Sequence, residues 1–135
     1  MNSPAFVVHD LGQAKAGLRA ARELGRRVCL VSAPGAAAAL GPAVWREMIA
    51  EAARSDPGVL ESAILDCGRD PGTALAALRE GVRAITVDVP NEVRAKIEDI
   101  ARQSGATVLA CPAAAHDLGD APDPLIAARK WLSHD

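Results

Sequence analysis

A ten-residue junction recurs three times in this chain and limits what it can fold into. Arg22-Glu23-Leu24-Gly25-Arg26-Arg27-Val28-Cys29-Leu30-Val31 has the same plan as Leu78-Arg79-Glu80-Gly81-Val82-Arg83-Ala84-Ile85-Thr86-Val87. Arg102-Gln103-Ser104-Gly105-Ala106-Thr107-Val108-Leu109-Ala110-Cys111 repeats it again. Each reads as the end of a helix, a glycine, two linking residues and an apolar run. Glycine just past a helix accepts positive φ without a Cβ clash, so it turns the chain sharply into the next strand. Helix, glycine, strand is therefore the structural period.

Five short apolar runs read as strands, at residues 6–9, 28–31, 60–65, 84–87 and 108–111. They are nearly continuous in hydrophobicity rather than alternating, which is the pattern of a parallel sheet buried on both faces. Helices fill the intervals. Leu11, Ala14, Leu18 and Ala21 share one face of the first, and Val44, Met48, Ile49 and Ala52 one face of the second. Asp70-Pro71 and Asp123-Pro124 each pair a good N-cap with a good first helical residue. Asn91 opens a further helix carrying Val93, Ile97 and Ile100. Five βα units in a single domain over residues 1–135 result, arranged as a three-layer α/β protein around a parallel sheet. An open flavodoxin-like sheet is the expected form, and half of a (β/α) barrel is the alternative.

Element order across the whole chain resembles that of flavodoxin-like and response-regulator-like domains. Receivers place neighbouring acids after strand one, an Asp after strand three, a Ser or Thr after strand four and a Lys after strand five. Asp10 and Asp66 match that pattern, whereas position 9 is His, Val87-Asp88 ends strand four and Cys111-Pro112 ends strand five. Phospho-acceptor chemistry is not implied. After strand one, Asp10-Leu11-Gly12-Gln13 stands where a flavodoxin has a hydroxyl-rich phosphate loop. The stretch 64–88 also resembles pieces of phosphate-binding barrel enzymes, a likeness shared by any glycine-capped βα unit, and no family is named from it.

Composition removes several classes of partner. With 135 residues the chain can bury about two-thirds of its unfolded surface, enough for one ordinary core. Twelve arginines and three lysines are dispersed, the net charge is -2 and the pI is about 5.9, so no phosphate-neutralising patch for nucleic acid is expected. Residues 28–45 form eighteen uncharged positions between Arg27 and Arg46, a nominal membrane length. Pro34-Gly35 and Gly41-Pro42 break it into strand, loop and helix start, so no span is expected. The Met1-Asn2-Ser3-Pro4 start has no basic region of a signal peptide. Three widely spaced cysteines, Cys29, Cys67 and Cys111, in apolar segments read as reduced thiols, and the expected compartment is the cytoplasm.

Ligands of α/β sheets bind at the carboxyl ends of the strands. Those ends carry His9, Asp10, Ser32, Asp66, Cys67, Asp88 and Cys111, and the long connections 32–42 and 112–123 lie on the same edge. That edge supports three readings. His9, Asp10, Asp66 and Asp88 are candidates for acid/base work, or for holding a Mg²⁺ ion through their carboxylates, although an Asp at a strand end also caps turns routinely. Ser32, Gly35, Cys67, Gly68 and Arg69 are candidates for cradling an anion at helix starts, without the Gly-Lys-Ser/Thr of a P-loop. Cys67 or Cys111 as nucleophile or metal ligand, with His9 or His116, is a third reading, and it lacks any Cys-x-x-Cys or His-x-x-His spacing. No metal site and no cofactor is assigned.

The chain has 29 alanines, two tryptophans, one phenylalanine and no tyrosine, so it offers little to stack on a flavin or a base. The expected function is binding of a small polar or anionic ligand at the carboxyl edge. The alternative is a non-catalytic regulatory or structural module, with Trp131 on the last helix as a docking anchor. A homodimer is the expected assembly.

Overall fold

A computed structural model describes residues 3–134, so the start at Met1 and Asn2 and the terminal Asp135 lie outside the described residues. In chain order the elements are β1 (Ala5–Val8), α1 (Leu11–Glu23), β2 (Val28–Ser32), α2 (Ala36–Ala39), α3 (Pro42–Ser55) and β3 (Leu60–Asp66). Next come α4 (Pro71–Arg79), β4 (Ala84–Thr86), α5 (Asn91–Gln103), β5 (Thr107–Val108), β6 (His116–Asp117) and α6 (Pro124–Ser133). The strands form one open sheet in the order β5-β4-β3-β2-β1-β6. The pairs β1–β6, β3–β4 and β4–β5 are all parallel.

The α/β class and the open parallel sheet agree with the sequence pattern. Strand order adds what one sequence does not display. From β5 to β1 the order is consecutive, as in a stretch of (β/α) barrel, and it differs from the 2-1-3-4-5 order of flavodoxin-type sheets. A sixth strand of two residues joins β1, with Phe6 opposite His116 and Val7 opposite Asp117. Two residues carry no periodicity, so nothing in the sequence marks β6. The fifth strand is shorter than its apolar run, because Ala110 and Cys111 are exposed and the chain leaves the ladder before Pro112.

The three junctions are built alike. Gly25, Gly81 and Gly105 have φ of +65°, +86° and +73°. In each, the residue after the glycine donates its N–H back five positions, Arg26 to Ala21, Val82 to Ala77 and Ala106 to Ala101, at 2.9, 3.1 and 2.8 Å. The glycine itself bonds three positions back. This Schellman cap satisfies the last helical carbonyls and aims the chain into the next strand. At the helix starts, Asp10, Asp70 and Asp123 accept from the N–H groups of Gln13, Gly72 and Ile126.

The chain divides into two compact units, Met1–Val31 with Met48–Ala63 and Pro112–Asp135, and Ser32–Glu47 with Ile64–Cys111. In the first, Phe6, Val8, Leu18, Leu30, Leu118 and Leu132 are buried, and α1 packs on α6. A Cβ on Gly17 of α1 would stand 3.1 Å from the Phe6 ring, so a small residue lets the helix lie close to the strand. In the second, Leu65, Ile85, Val87, Leu78, Ile97 and Trp45 are buried. Helix α3 is rotated from the expected phase: Val44 is 51% exposed while Trp45 is 2% exposed. The larger indole wins the interior, and Trp45, Met48, Ile49 and Ala52 form the inward stripe at helical spacing. The apolar stretch 28–45 breaks into β2, α2 and the start of α3, and no helix among the described residues is long and apolar enough to cross a membrane.

One carboxylate is fully buried in the first unit. Asp56, 1% exposed, accepts from Arg19 Nε at 3.0 and 3.2 Å and from Arg22 Nη1 at 3.0 Å, tying the end of α3 to α1. Asp56→Ala is expected to lower the unfolding free energy by about 2 kcal/mol, since charge-assisted bonds are lost while both guanidinium groups remain half in water. Urea unfolding followed by far-UV circular dichroism measures it, and an unchanged midpoint would show that the triad contributes nothing.

Candidate functional site

The second unit gathers the carboxyl ends of β3 and β4 and the loops that leave β2 and β3. Ser32, 3% exposed, accepts the Asp66 N–H on its Oγ at 2.9 Å and donates to the Ala33 carbonyl. Asp66 Oδ1 accepts two backbone N–H groups, from Gly35 at 3.0 Å and from Gly68 at 2.8 Å. Both glycines have φ in the left-handed region, +69° and +63°, which points their amides inward at one oxygen. The Gly68 carbonyl accepts from Asp88 N at 2.8 Å, and Cys67 N donates to the Thr86 carbonyl at 2.9 Å. Asp66 is thus the common anchor of two loops.

Two donors of the expected anion cradle are engaged within the protein. The amides of Gly35 and Gly68 do point at a carboxylate, but it is the protein's own. An external anion at those two donors would have to displace Asp66. The remaining oxygen, Asp66 Oδ2, has no hydrogen-bond partner among the described residues. Asp66 is one of the residues lining a cleft of about 380 Å³, with Gly68, Arg69, Thr86, Val87, Asp88 and Cys111. On the rim Arg69 Nε stands 3.5 Å from Asp88 Oδ2, with the side chains 87% and 82% exposed. An ion pair this exposed is worth little, so either partner is available for exchange with a ligand. The sequence pattern does not single out Thr86 and Val87, because they lie within the fourth apolar run, where nothing distinguishes a cleft wall from core.

No family model matches the chain, and no curated protein does. A solved structure does. It is a crystal structure of a Coccidioides immitis protein provisionally named fructose-1,6-biphosphate aldolase, 21% identical, with a TM-score of 0.66. The match covers 79% of this chain and 44% of that one, so the chain spans less than half of that neighbour's length. The likeness is one of fold.

His9 and Asp10 belong to the first unit, Asp66 and Asp88 to the second. Asp10 is occupied as the N-cap of α1. His9 donates from Nε2 to Asp117 Oδ1 at 2.8 Å, and Gly119 N–H donates to the same oxygen at 2.7 Å. Burial would raise the Asp117 pKa, but the Gly119 amide and His9 outweigh it and hold the carboxyl below its ordinary value. Asp117 escapes a reading of the sequence for the same reason that β6 does. The His116 ring stacks on Trp131 at 4.7 Å and 14°. No group of three or more His, Cys, Asp or Glu residues suited to a metal ion is found among the described residues.

Cys67 runs against the picture of an acidified nucleophile. Its side chain is buried, and desolvation, reinforced by the neighbouring Asp66 charge, pushes the thiol up to about 11. The thiolate therefore forms only as pH approaches that value, and at pH 8 Cys67 is a neutral thiol. Cys111 is exposed. Iodoacetamide at pH 8 is expected to modify Cys111 first, with Cys29 and Cys67 protected until denaturant is added. Peptide mapping by mass spectrometry checks this order, and early labelling of Cys67 would contradict the assigned environment.

Proposed function

We propose that the cleft at the carboxyl ends of β3 and β4 binds a small, hydroxyl-bearing molecule that also carries a carboxylate or phosphate group. The observation that carries this reading is the division of labour within Asp66. One oxygen is immobilised by two backbone amides, the other has no partner among the described residues, and the residue lines the cleft with Arg69. A carboxylate held that way is a rigid acceptor for a ligand hydroxyl. The exposed Arg69 guanidinium offers a fork for an anionic group, and in taking it would release Asp88 to accept further hydroxyls.

The charge balance of the lining, two carboxylates and one guanidinium, favours a ligand with several donors and one acid over a polyanion. The scarcity of aromatics supports the same class, since the cleft lining includes no ring on which to stack a flavin or a nucleobase. The structural neighbour's name points to hydroxylated phosphate esters as first probes. Its chemistry is not carried over: the cleft lining includes no lysine, so an amine nucleophile is not part of the reading.

Differential scanning fluorimetry with 3-phosphoglycerate, glycerol 3-phosphate, fructose 1,6-bisphosphate and inorganic phosphate tests it. At about 100 times its Kd a ligand of the native state adds about 2.7 kcal/mol, a rise in Tm of several degrees. The rise is expected for at least one hydroxylated acid and not for inorganic phosphate at equal concentration. It should disappear in Arg69→Ala and weaken in Asp66→Asn, which keeps an acceptor for the two glycine amides. A rise that survives both substitutions, or no rise with any probe, would refute the reading.

A further inference from the structure

Four polar or charged residues are buried among the described residues: Gln13, Ser32, Asp56 and Thr86. Three of these side chains are bonded within the protein. Gln13 Oε1 accepts the His9 amide, Ser32 Oγ accepts the Asp66 amide and donates to the Ala33 carbonyl, and Asp56 accepts from Arg19 and Arg22. Thr86 differs. It is 9% exposed between the buried Ile85 and Val87, and its hydroxyl has no hydrogen-bond partner among the described residues. A buried polar group is ordinarily paired, because an unpaired one forfeits its bonds to water. Nor is this oxygen sealed off: the unpartnered side-chain atom that is shut away from solvent among the described residues is Trp131 Nε1. The Thr86 hydroxyl therefore keeps contact with solvent while most of the residue lies inside.

Thr86 lines the same cleft as Asp66, and the two are register partners on the parallel strands β4 and β3. Register partners stand side by side on strands about 4.8 Å apart, with their side chains on the same face of the sheet. Asp66 Oδ1 is held by the Gly35 and Gly68 amides, and Oδ2 has no hydrogen-bond partner among the described residues. One face of the sheet thus carries, side by side, a carboxylate that only accepts and a hydroxyl that can donate. A single ligand oxygen bonded at about 2.8 Å to each can bridge groups up to about 5.5 Å apart, which covers the spacing between the strands.

We propose, resting on the ligand class assigned above to this cleft, that Asp66 and Thr86 clamp one hydroxyl of the ligand and that Thr86 determines specificity. The ligand O–H donates to the Asp66 carboxylate, and the Thr86 hydroxyl donates to the same ligand oxygen. An alcohol fits because its oxygen both donates and accepts. A ketone oxygen at that position only accepts: it can take the Thr86 bond, but it meets the Asp66 carboxylate with no proton between them. A methylene leaves both groups unpaired. Sites built to bond a ligand hydroxyl discriminate against analogues that lack it, because the site's own polar groups are then left without partners. The cleft therefore selects a hydroxy acid over its oxo counterpart. Thr86 is buried and Arg69 exposed, so the clamped hydroxyl points inward and the acid group outward.

Two measurements on the whole chain test the clamp. Without ligand, Thr86→Val replaces an unpaired hydroxyl by a methyl of similar shape and should melt no lower than wild type, whereas Ser32→Ala deletes a bonded hydroxyl and should melt lower. With ligand, Tm is titrated with 3-phosphoglycerate, glycerol 3-phosphate and fructose 1,6-bisphosphate. For each compound that raises the wild-type Tm, Thr86→Val should weaken binding about tenfold, and Thr86→Ser, which keeps the hydroxyl, should stay within about threefold of wild type. In wild type, 3-phosphohydroxypyruvate should bind at least about tenfold more weakly than 3-phosphoglycerate. A lower Tm for unliganded Thr86→Val would assign the hydroxyl a structural partner and overturn the clamp. Binding that Thr86→Val leaves unchanged, or an oxo acid that binds as tightly as the hydroxy acid, overturns the clamp too, and leaves the cleft reading standing as long as the shift still requires Arg69. No shift with any probe in wild type removes both.

Discussion

Oδ1 of Asp66 receives the amides of Gly35 and Gly68, and the arrangement of the second unit's loops depends on that shared oxygen. The Gly35 loop leaves β2 and the Gly68 loop leaves β3, and without a common acceptor each would present an unsatisfied inward amide. A carboxylate accepting two N–H groups forms charge-assisted bonds, each worth about 1.5–3 kcal/mol net, enough to hold two short loops in left-handed turns. The Ser32 hydroxyl completes the knot by accepting the Asp66 amide from a buried position. The geometry of both loops is therefore a property of one side chain.

The fold was legible where the chain carries local stop and start signals. Three glycine junctions form three equivalent Schellman caps, and Asp-Pro at 70–71 and 123–124 opens α4 and α6 as cap and first residue. Near-continuous apolar runs at 28–31 and 84–87 become the buried strands β2 and β4. Features set by tertiary packing were not legible. Strand order depends on how units stack, β6 is two residues long, and the phase of α3 was decided by Trp45 outcompeting Val44 for the interior. The alanines turn out to be functional as spacing: Ala14, Ala20, Ala21, Ala52, Ala74, Ala77 and Ala128 are all fully buried on helices.

The candidate sites were legible by edge and illegible by partner. The rule that strand ends carry function singled out His9, Asp10, Asp66 and Asp88, and the anion-cradle pattern added Arg69; of these Asp66, Asp88 and Arg69 line one cleft. What no one-dimensional pattern states is who bonds to whom. The donors of Gly35 and Gly68 are engaged by Asp66, and the carboxylate that orients His9 lies 108 positions away in the chain. Burial likewise decided Cys67, a candidate nucleophile in the sequence whose desolvation raises the thiol pKa.

Amide hydrogen exchange at Gly35 and Gly68, followed by nuclear magnetic resonance in wild type and in Asp66→Ala, tests the role of that shared oxygen most directly. Both glycine amides are predicted to exchange well below the rate of an unstructured peptide in wild type and to lose that protection together in the variant. The Val82 amide, bonded to Ala77 within the α4 cap, should stay protected in both and report that the unit remains folded. Glycine amides that exchange at peptide rates in wild type, or that keep their protection without the carboxylate, would contradict it.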